Sequence, residues 1–349
     1  MTEEPSSAIL RPPPELSGQA VVRAAGRTDL GTKHHVNEDS FAIVETRSGG
    51  GFLALCDGMG GMGSGDKASR AALDLLVEWI SNDEGGDASS LAKAAVRQAD
   101  LTVMRSFEAK DGRKPGTTCA CVVLRGGLAH MFWVGDSSVL LIRDGRVAHR
   151  SRPHRMVQDL IDSGSMTEEQ AMTSPMRHYL SRSLGGRDEG DPVEPEVRPP
   201  VPLLLGDCFV LCSDGLTDFV QLAEIAEIVS QEDDPGRAAD ALVKLALERE
   251  VDDNVTCIVA RVAAEGQGGA DVLGASWDLG SVSFDLDEDY GSDIRERPQN
   301  LDVRTGDVSS FVGPRPARSI VTWALPVAVA GLAVLILLCV VFLSVLLVQ

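Results

Sequence analysis

Short apolar runs of strand length recur along the chain, separated by stretches with helical periodicity. The runs at 40–45, 52–56, 118–125, 128–134, 138–143, 208–212 and 255–262 read as β-strands. Segments 66–79, 91–107, 156–163, 222–229 and 236–250 read as helices. Asp144-Gly145, between two such runs, is a hairpin signal. Strands that follow one another through hairpins imply antiparallel sheets, with the helices covering them. The pattern is continuous from about residue 20 and predicts one α+β domain over 19–263.

The ends of the chain carry different patterns. Residues 1–18, with Pro12-Pro13-Pro14, read as a flexible tail. Gly, Ser and Asp dominate 264–318, where acidic residues outnumber basic ones about two to one; this predicts a disordered acidic linker. A coil of ~55 residues spans on the order of 40 Å. Residues 319–349 hold no charge and are almost wholly aliphatic beyond Leu325. The run exceeds the ~20 residues that cross a bilayer and predicts a transmembrane tail anchor. Arg315 and Arg318 precede it and Trp323 sits at its boundary, which places the domain on the cytoplasmic side.

Composition narrows the function classes. A net charge of −20 argues against a general nucleic-acid surface. The seven cysteines lack zinc-type spacing, and Cys56, Cys208, Cys212 and Cys257 fall in apolar runs as reduced core residues. That usage fits the cytoplasm. The acidic, proline-rich N-terminus does not read as a secretory signal.

The chemistry is concentrated around 51–65, GFLALCDGMGGMGSG. Gly58, Gly60 and Gly63 satisfy the dinucleotide fingerprint between a strand and a helix. That reading wants an acidic residue about 20 positions on, closing a second strand, but Glu78 falls inside a helical pattern. Asp57, directly before the turn, would repel a pyrophosphate, and no Gly-Lys-Ser/Thr step supports a Walker loop. A carboxylate closing a buried strand is costly unless a cation or hydrogen bonds hold it.

Four more aspartates stand at strand ends: Asp39, Asp136, Asp214 and Asp253. Each alone reads as a turn cap. Together they could converge at one end of a pair of sheets, and oxygen ligands without nearby His or Cys favour Mg²⁺ or Mn²⁺.

With these motifs in order, the chain resembles the metal-dependent, type-2C Ser/Thr protein phosphatases. The matching pieces are Asn37-Glu38-Asp39, Asp57-Gly58-Met59-Gly60-Gly61, Gly116-Thr117-Thr118, Gly135-Asp136-Ser137, Asp214-Gly215-Leu216 and Asp253-Asn254. The resemblance implies a four-layer α-β-β-α sandwich of two antiparallel sheets, with two metal ions at one end. Asp57 would bridge both metals and the Gly58 carbonyl would ligate one. Asp214 and Asp253 would serve the first, Asp39 with Glu38 the second, and Asp136 a third, weaker ion. The implied reaction is direct attack of a metal-activated water on phosphoserine or phosphothreonine in proteins. Phosphorylated proteins, plausibly a Ser/Thr kinase and its targets, would be the partners.

Three departures stand out. His34, flanked by Lys33 and His35, replaces the arginine that grips phosphate in many members, so His34 and Lys33 are the candidate phosphate ligands. A histidine lacks the bidentate arginine fork. Met59 and Met62 stand where family members often carry a turn histidine. Ser138 replaces an arginine and Pro153 an aspartate, while His154 remains; the flap-like insertion is recognisable from there to Leu184-Gly185. Two alternatives follow: a catalytically impaired scaffold that binds phosphoproteins, and a hydrolase of small phosphate esters.

Overall fold

The computed structural model describes residues 20–60, 64–83, 85–107, 114–187 and 190–264. The chain enters through β1 (Ala20–Asp29), β2 (Asp39–Thr46) and β3 (Gly50–Met59), then forms α1 (Gly65–Ser81) and α2 (Ala88–Ser106). Five strands follow: β4 (Gly116–Thr117), β5 (Cys119–Arg125), β6 (Leu128–Val134), β7 (Ser138–Arg143) and β8 (Arg146–Arg150). Next come α3 (Met156–Asp162), α4 (Glu168–Met172), β9 (Leu184–Gly185), β10 (Glu196–Val197), β11 (Val201–Pro202) and β12 (Cys208–Cys212). The described chain closes with α5 (Asp214–Thr217), α6 (Leu222–Gln231), α7 (Pro235–Glu248) and β13 (Val255–Ala264).

Two antiparallel sheets result. One has the order β1-β13-β12-β7-β8; the other runs β10-β6-β5-β3-β4-β9, with β2 on β3 and β11 on β6. Period-two alternation sorts the strand residues between layers. Phe52, Ala54 and Cys56 of β3 pack with Leu73, Leu76 and Val96 of α1 and α2. Leu53 and Leu55 point the other way and meet Phe209, Leu211 and Ile258 of the opposite sheet. Val210 and Cys212 of β12 pack against Ile225 and Leu242 of α6 and α7. Three apolar layers therefore separate four layers of secondary structure, as expected.

Several boundaries differ from the sequence reading. β1 carries three alanines and a glycine, a weak strand signal, yet all ten of its residues pair with β13. Gly26 is required there, because a Cβ would fall 2.4 Å from the Phe41 ring. β3 runs past Asp57, pairing Gly58 with Thr117 and Met59 with Gly116. Gly58, which read as the start of a turn, extends the strand where the Gly65 backbone crowds it. One-turn helices α4 and α5 are too short for a periodic signal, although Thr167 and Gln170 cap α4 reciprocally. The Asp144-Gly145 hairpin has positive φ at both residues (52° and 71°), as a type I′ turn demands.

The expected tail at 1–18, the expected membrane anchor at 319–349 and, past Ala264, the expected linker at 264–318 lie outside the described residues. Among those described, no helix is long and apolar enough to cross a membrane. Six buried free cysteines bear out the reduced-core reading.

Candidate functional site

Backbone hydrogen bonds set the site before any charge is considered. β2 and β3 pair with Asp39 opposite Asp57. Thr118 Oγ1 accepts from the Asp57 amide at 3.0 Å, and Thr117 Oγ1 donates to its carbonyl at 2.8 Å. The Gly116-Thr117-Thr118 motif thus locks Asp57 in place. Asn254 Oδ1 accepts from the Glu38 amide at 2.8 Å, while its Nδ2 donates to Leu30 O at 3.0 Å. Asn37 donates to Thr28 Oγ1 at 2.7 Å and accepts from the Asp39 amide at 3.1 Å. Both asparagines brace loops that deliver the carboxylates.

Glycine is forced where these loops cross. A Cβ on Gly58 would lie 2.2 Å from Gly65 O, and one on Gly215 would lie 2.1 Å from Asn254 O. Glu38 Oε1 accepts from the Gly65 amide at 3.2 Å, placing an acid at the N-terminus of α1.

Asp39, Asp57, Asp136, Asp214 and Asp253 come within reach of one another's charge, as the motifs predict. Burial drives Asp57 well above the carboxylate range, and Asp39, Asp214, Asp136 and Asp253 push it further. Burial also raises Asp39, to about 6; hydrogen bonds from Thr256 and Ser213 oppose the rise, and Asp253 and Glu38 add to it. Ser213 Oγ donates to Asp39 Oδ2 at 2.9 Å. For Asp214, burial and Asp136 raise the carboxyl against the opposing Arg155. Glu38 is raised by burial, with the Gly65 hydrogen bond working the other way. Like charges so placed repel unless cations neutralise them. The donor set, hard carboxylate oxygens in a partly enclosed cluster, fits divalent ions of the Mg²⁺ and Mn²⁺ class.

Sequence reasoning missed Arg155. It lies at the base of the 156–180 insertion, with a side chain only 16% exposed. Its Nε donates to Asp136 Oδ2 at 2.6 Å, Nη2 to Asp214 Oδ2 at 3.1 Å, and Nη1 to Asp218 Oδ1 at 3.3 Å. Burial opposes the charge, but Asp136, Asp218 and Asp214 outweigh it and hold the guanidinium protonated beyond its ordinary range. His178 Nδ1 lies 3.6 Å from Asp218 Oδ2. His178, Asp214 and Asp218 present ligand atoms within 4.8 Å of one another. Asp218 was not singled out in the sequence either, although it stands four residues after Asp214. No local pattern connects Arg155 or His178 to residues so far along the chain.

The structure places the departures at His34, Met59 and Ser138. His34 is exposed and its Nε2 sits 3.4 Å from Asp253 Oδ1, at the rim of the cluster. Lys33 Nζ is 2.5 Å from Asp252 Oδ2, so its charge is directed to that residue. Met59 packs its methyl over Gly116, and Met62 lies outside the described residues. Ser138 is buried opposite Cys212 in the sheet. His154 is structural: Nδ1 accepts from the Gly135 amide at 3.1 Å and Nε2 pairs with Glu196 at 3.2 Å.

The model of the protein phosphatase 2C family matches residues 30–246. The chain belongs to that family. It is 34% identical over 272 residues to the serine/threonine protein phosphatase PstP of Mycobacterium tuberculosis, covering 77% of this chain. The match covers 49% of that relative, so the chain spans about half the length of the curated protein it resembles. The Mycobacterium tuberculosis PstP/Ppp crystal structure superposes with a TM-score of 0.62 at 33% identity, covering 70% of this chain and 99% of that one. A PstP catalytic domain solved in complex with two manganese ions gives 0.61 at the same identity and coverage. These 2C-type structures share the paired antiparallel sheets flanked by helices.

Proposed function

We propose that the chain hydrolyses phosphoserine and phosphothreonine in proteins, using two Mg²⁺ or Mn²⁺ ions. The observation that carries this reading is the convergence of Asp39, Asp57, Asp214 and Asp253, each delivered by a motif whose backbone is braced for that purpose. Asp57 would help hold both ions and the Gly58 carbonyl one of them, Asp214 and Asp253 would hold the first, and Asp39 with Glu38 the second. The pair of ions would supply Lewis acidity to a water and neutralise phosphoryl charge. Ser213 holds Asp39 by one oxygen and so orients the other. His34, beside Asp253 at the rim, is placed to donate to a phosphate oxygen; without an arginine fork, its grip depends on the protonation of the ring.

The chain's ends complete the reading. Residues 319–349 anchor the protein in a membrane with the domain at the cytoplasmic face, and 264–318 form the tether. Such a tether raises the effective concentration of membrane-localised phosphoproteins, including a Ser/Thr kinase and its targets.

The test is phosphate release from a phosphothreonine peptide by the full-length protein in detergent, with EDTA, Mg²⁺ or Mn²⁺. Turnover only with metal is the expected result. Metal binding without turnover between pH 6 and 9 would leave a phosphoprotein-binding scaffold as the better account, and preference for a nucleotide would move the substrate class to small esters.

A further inference from the structure

Asp136 and Asp214 differ from Asp39 and Asp57 in having an arginine against them already. Three separate nitrogens of Arg155 reach three carboxylates: Asp136 before β7, Asp214 at the start of α5 and Asp218 just past its end. The Asp136 side chain is 5% exposed, and its 2.6 Å contact is a short charge-assisted hydrogen bond. Arginine cannot be deprotonated in a protein, so no accessible pH removes this charge. A divalent ion entering here would meet a guanidinium fixed beside its ligands. It could bind only by displacing a buried side chain.

We propose that Arg155 is a built-in cation standing where a third divalent ion would otherwise sit among Asp136, Asp214 and Asp218, so that this chain takes two ions and no more. The proposal rests on the two-ion reading above and limits it. Arg155 engages Asp214 through Oδ2 alone, which leaves that residue able to serve a cation on its other oxygen.

The arrangement also ties the 156–180 insertion to the site without metal. Arg155 caps the start of α3 and bridges to Leu180, the Met156 amide donates to Tyr179 O at 2.8 Å, and the Ser181 amide to His154 O at 2.8 Å. The base of the insertion is therefore closed by backbone bonds, with the Arg155 cation within that closure. That cation belongs to the chain, and the insertion keeps its place whatever the metal supply.

Calorimetric titration of the full-length protein with Mn²⁺, starting from the EDTA-stripped form, counts the sites directly. Two ions are expected for the wild type, and Asp136→Asn should leave that number unchanged. Arg155→Ala should bind three, and Arg155→Ala/Asp136→Asn two again. Hydrogen exchange of the α3 and α4 amides supplies a readout independent of activity. In the wild type it should be the same in EDTA and Mn²⁺; in Arg155→Ala it should be faster in EDTA and slowed by Mn²⁺. A third ion in the wild type that Asp136→Asn removes would overturn the proposal, as would protection of α3 and α4 that appears only with Mn²⁺. Were Arg155→Ala not to fold, the wild type and Asp136→Asn still decide it. No ion bound at all would instead overturn the two-ion reading.

Discussion

Two kinds of aspartate are held inside this domain, and their surroundings are opposites. Asp100 on α2 is fully enclosed, and its oxygens accept from the Gly185 amide at 2.8 Å, the Val193 amide at 2.9 Å and both terminal nitrogens of Arg187 at 2.9 and 2.6 Å. Asp207 receives Arg143 through two bonds of 2.7 Å and the Leu204 amide at 2.8 Å. Among the described residues Asp57 has no such shell: burial and four other carboxylates act on its carboxyl. A carboxylate kept for structure is surrounded by arginine and backbone donors. One left among its own kind, in a position fixed by two threonines, is explained by a ligand that the chain does not itself supply.

The largest expected effect follows from removing that charge. Asp57→Asn keeps the shape and should lower metal-dependent phosphopeptide turnover by at least about a thousandfold, comparable to deleting a principal electrostatic contact to the transition state. The same variant should be at least as stable as the wild type in EDTA, because a repulsive buried charge is gone. In Mn²⁺ at a hundred times Kd, a filled site adds about 2.7 kcal/mol to the wild type, and part of that gain should vanish in the variant. Thermal melts with EDTA and Mn²⁺ check both. An Asp57→Asn protein that is less stable in EDTA and equally stabilised by Mn²⁺ would make Asp57 a structural residue like Asp100.

The converse variant is next in size. Asp100→Ala leaves Arg187 and two backbone amides without their acceptor, and should cost about 3 kcal/mol of stability. The loss should be the same with or without Mn²⁺, with the Mn²⁺ affinity unchanged. Denaturant unfolding in both conditions measures it. A drop in Mn²⁺ affinity matching that of Asp57→Asn would dissolve the distinction between the two classes.

What was legible in the sequence follows the same division. Carboxylates at strand ends carry a local signature, and Asp57, Asp136 and Asp214 also have a glycine beside them, so these three with Asp39 and Asp253 were visible, and the structure gathers them. The apolar strands were visible for a similar reason, since burial on both faces leaves a continuous run such as 208–212. Arg155 was not, because the partners that give it meaning are 19, 59 and 63 residues away. β1 was not either: its alanines carry little strand preference, and only the register with β13 makes them a strand. Lys33 gains a neighbour the sequence did not show, because the fold brings Asp252 to it.

The smallest prediction asks whether a missing partner always marks a ligand site. His149 on β8 has its Nε2 buried without a hydrogen-bond partner, and its ring lies 6.1 Å from that of Trp133. Burial lowers its pKa to about 4, helped by Arg198 and opposed by Glu196. A histidine near 6.5 when unfolded and near 4 when folded takes up its proton first in the unfolded chain. Its contribution is therefore complete above pH 6.5, is lost as pH falls toward 4, and changes no further below that. The ring is partly open to solvent, which reduces the loss to under about 1 kcal/mol. His149→Phe should remove this acid-side slope from the unfolding free energy, measured between pH 4 and 7, while leaving Mn²⁺ binding and turnover at neutral pH as they are. If His149→Phe changed the metal affinity, an unpartnered nitrogen far from the carboxylates would have to be counted with the site. If only the slope disappears, the mark of the site is a cluster of like charges held by braced backbone, and a lone unsatisfied group is simply a cost that the fold carries.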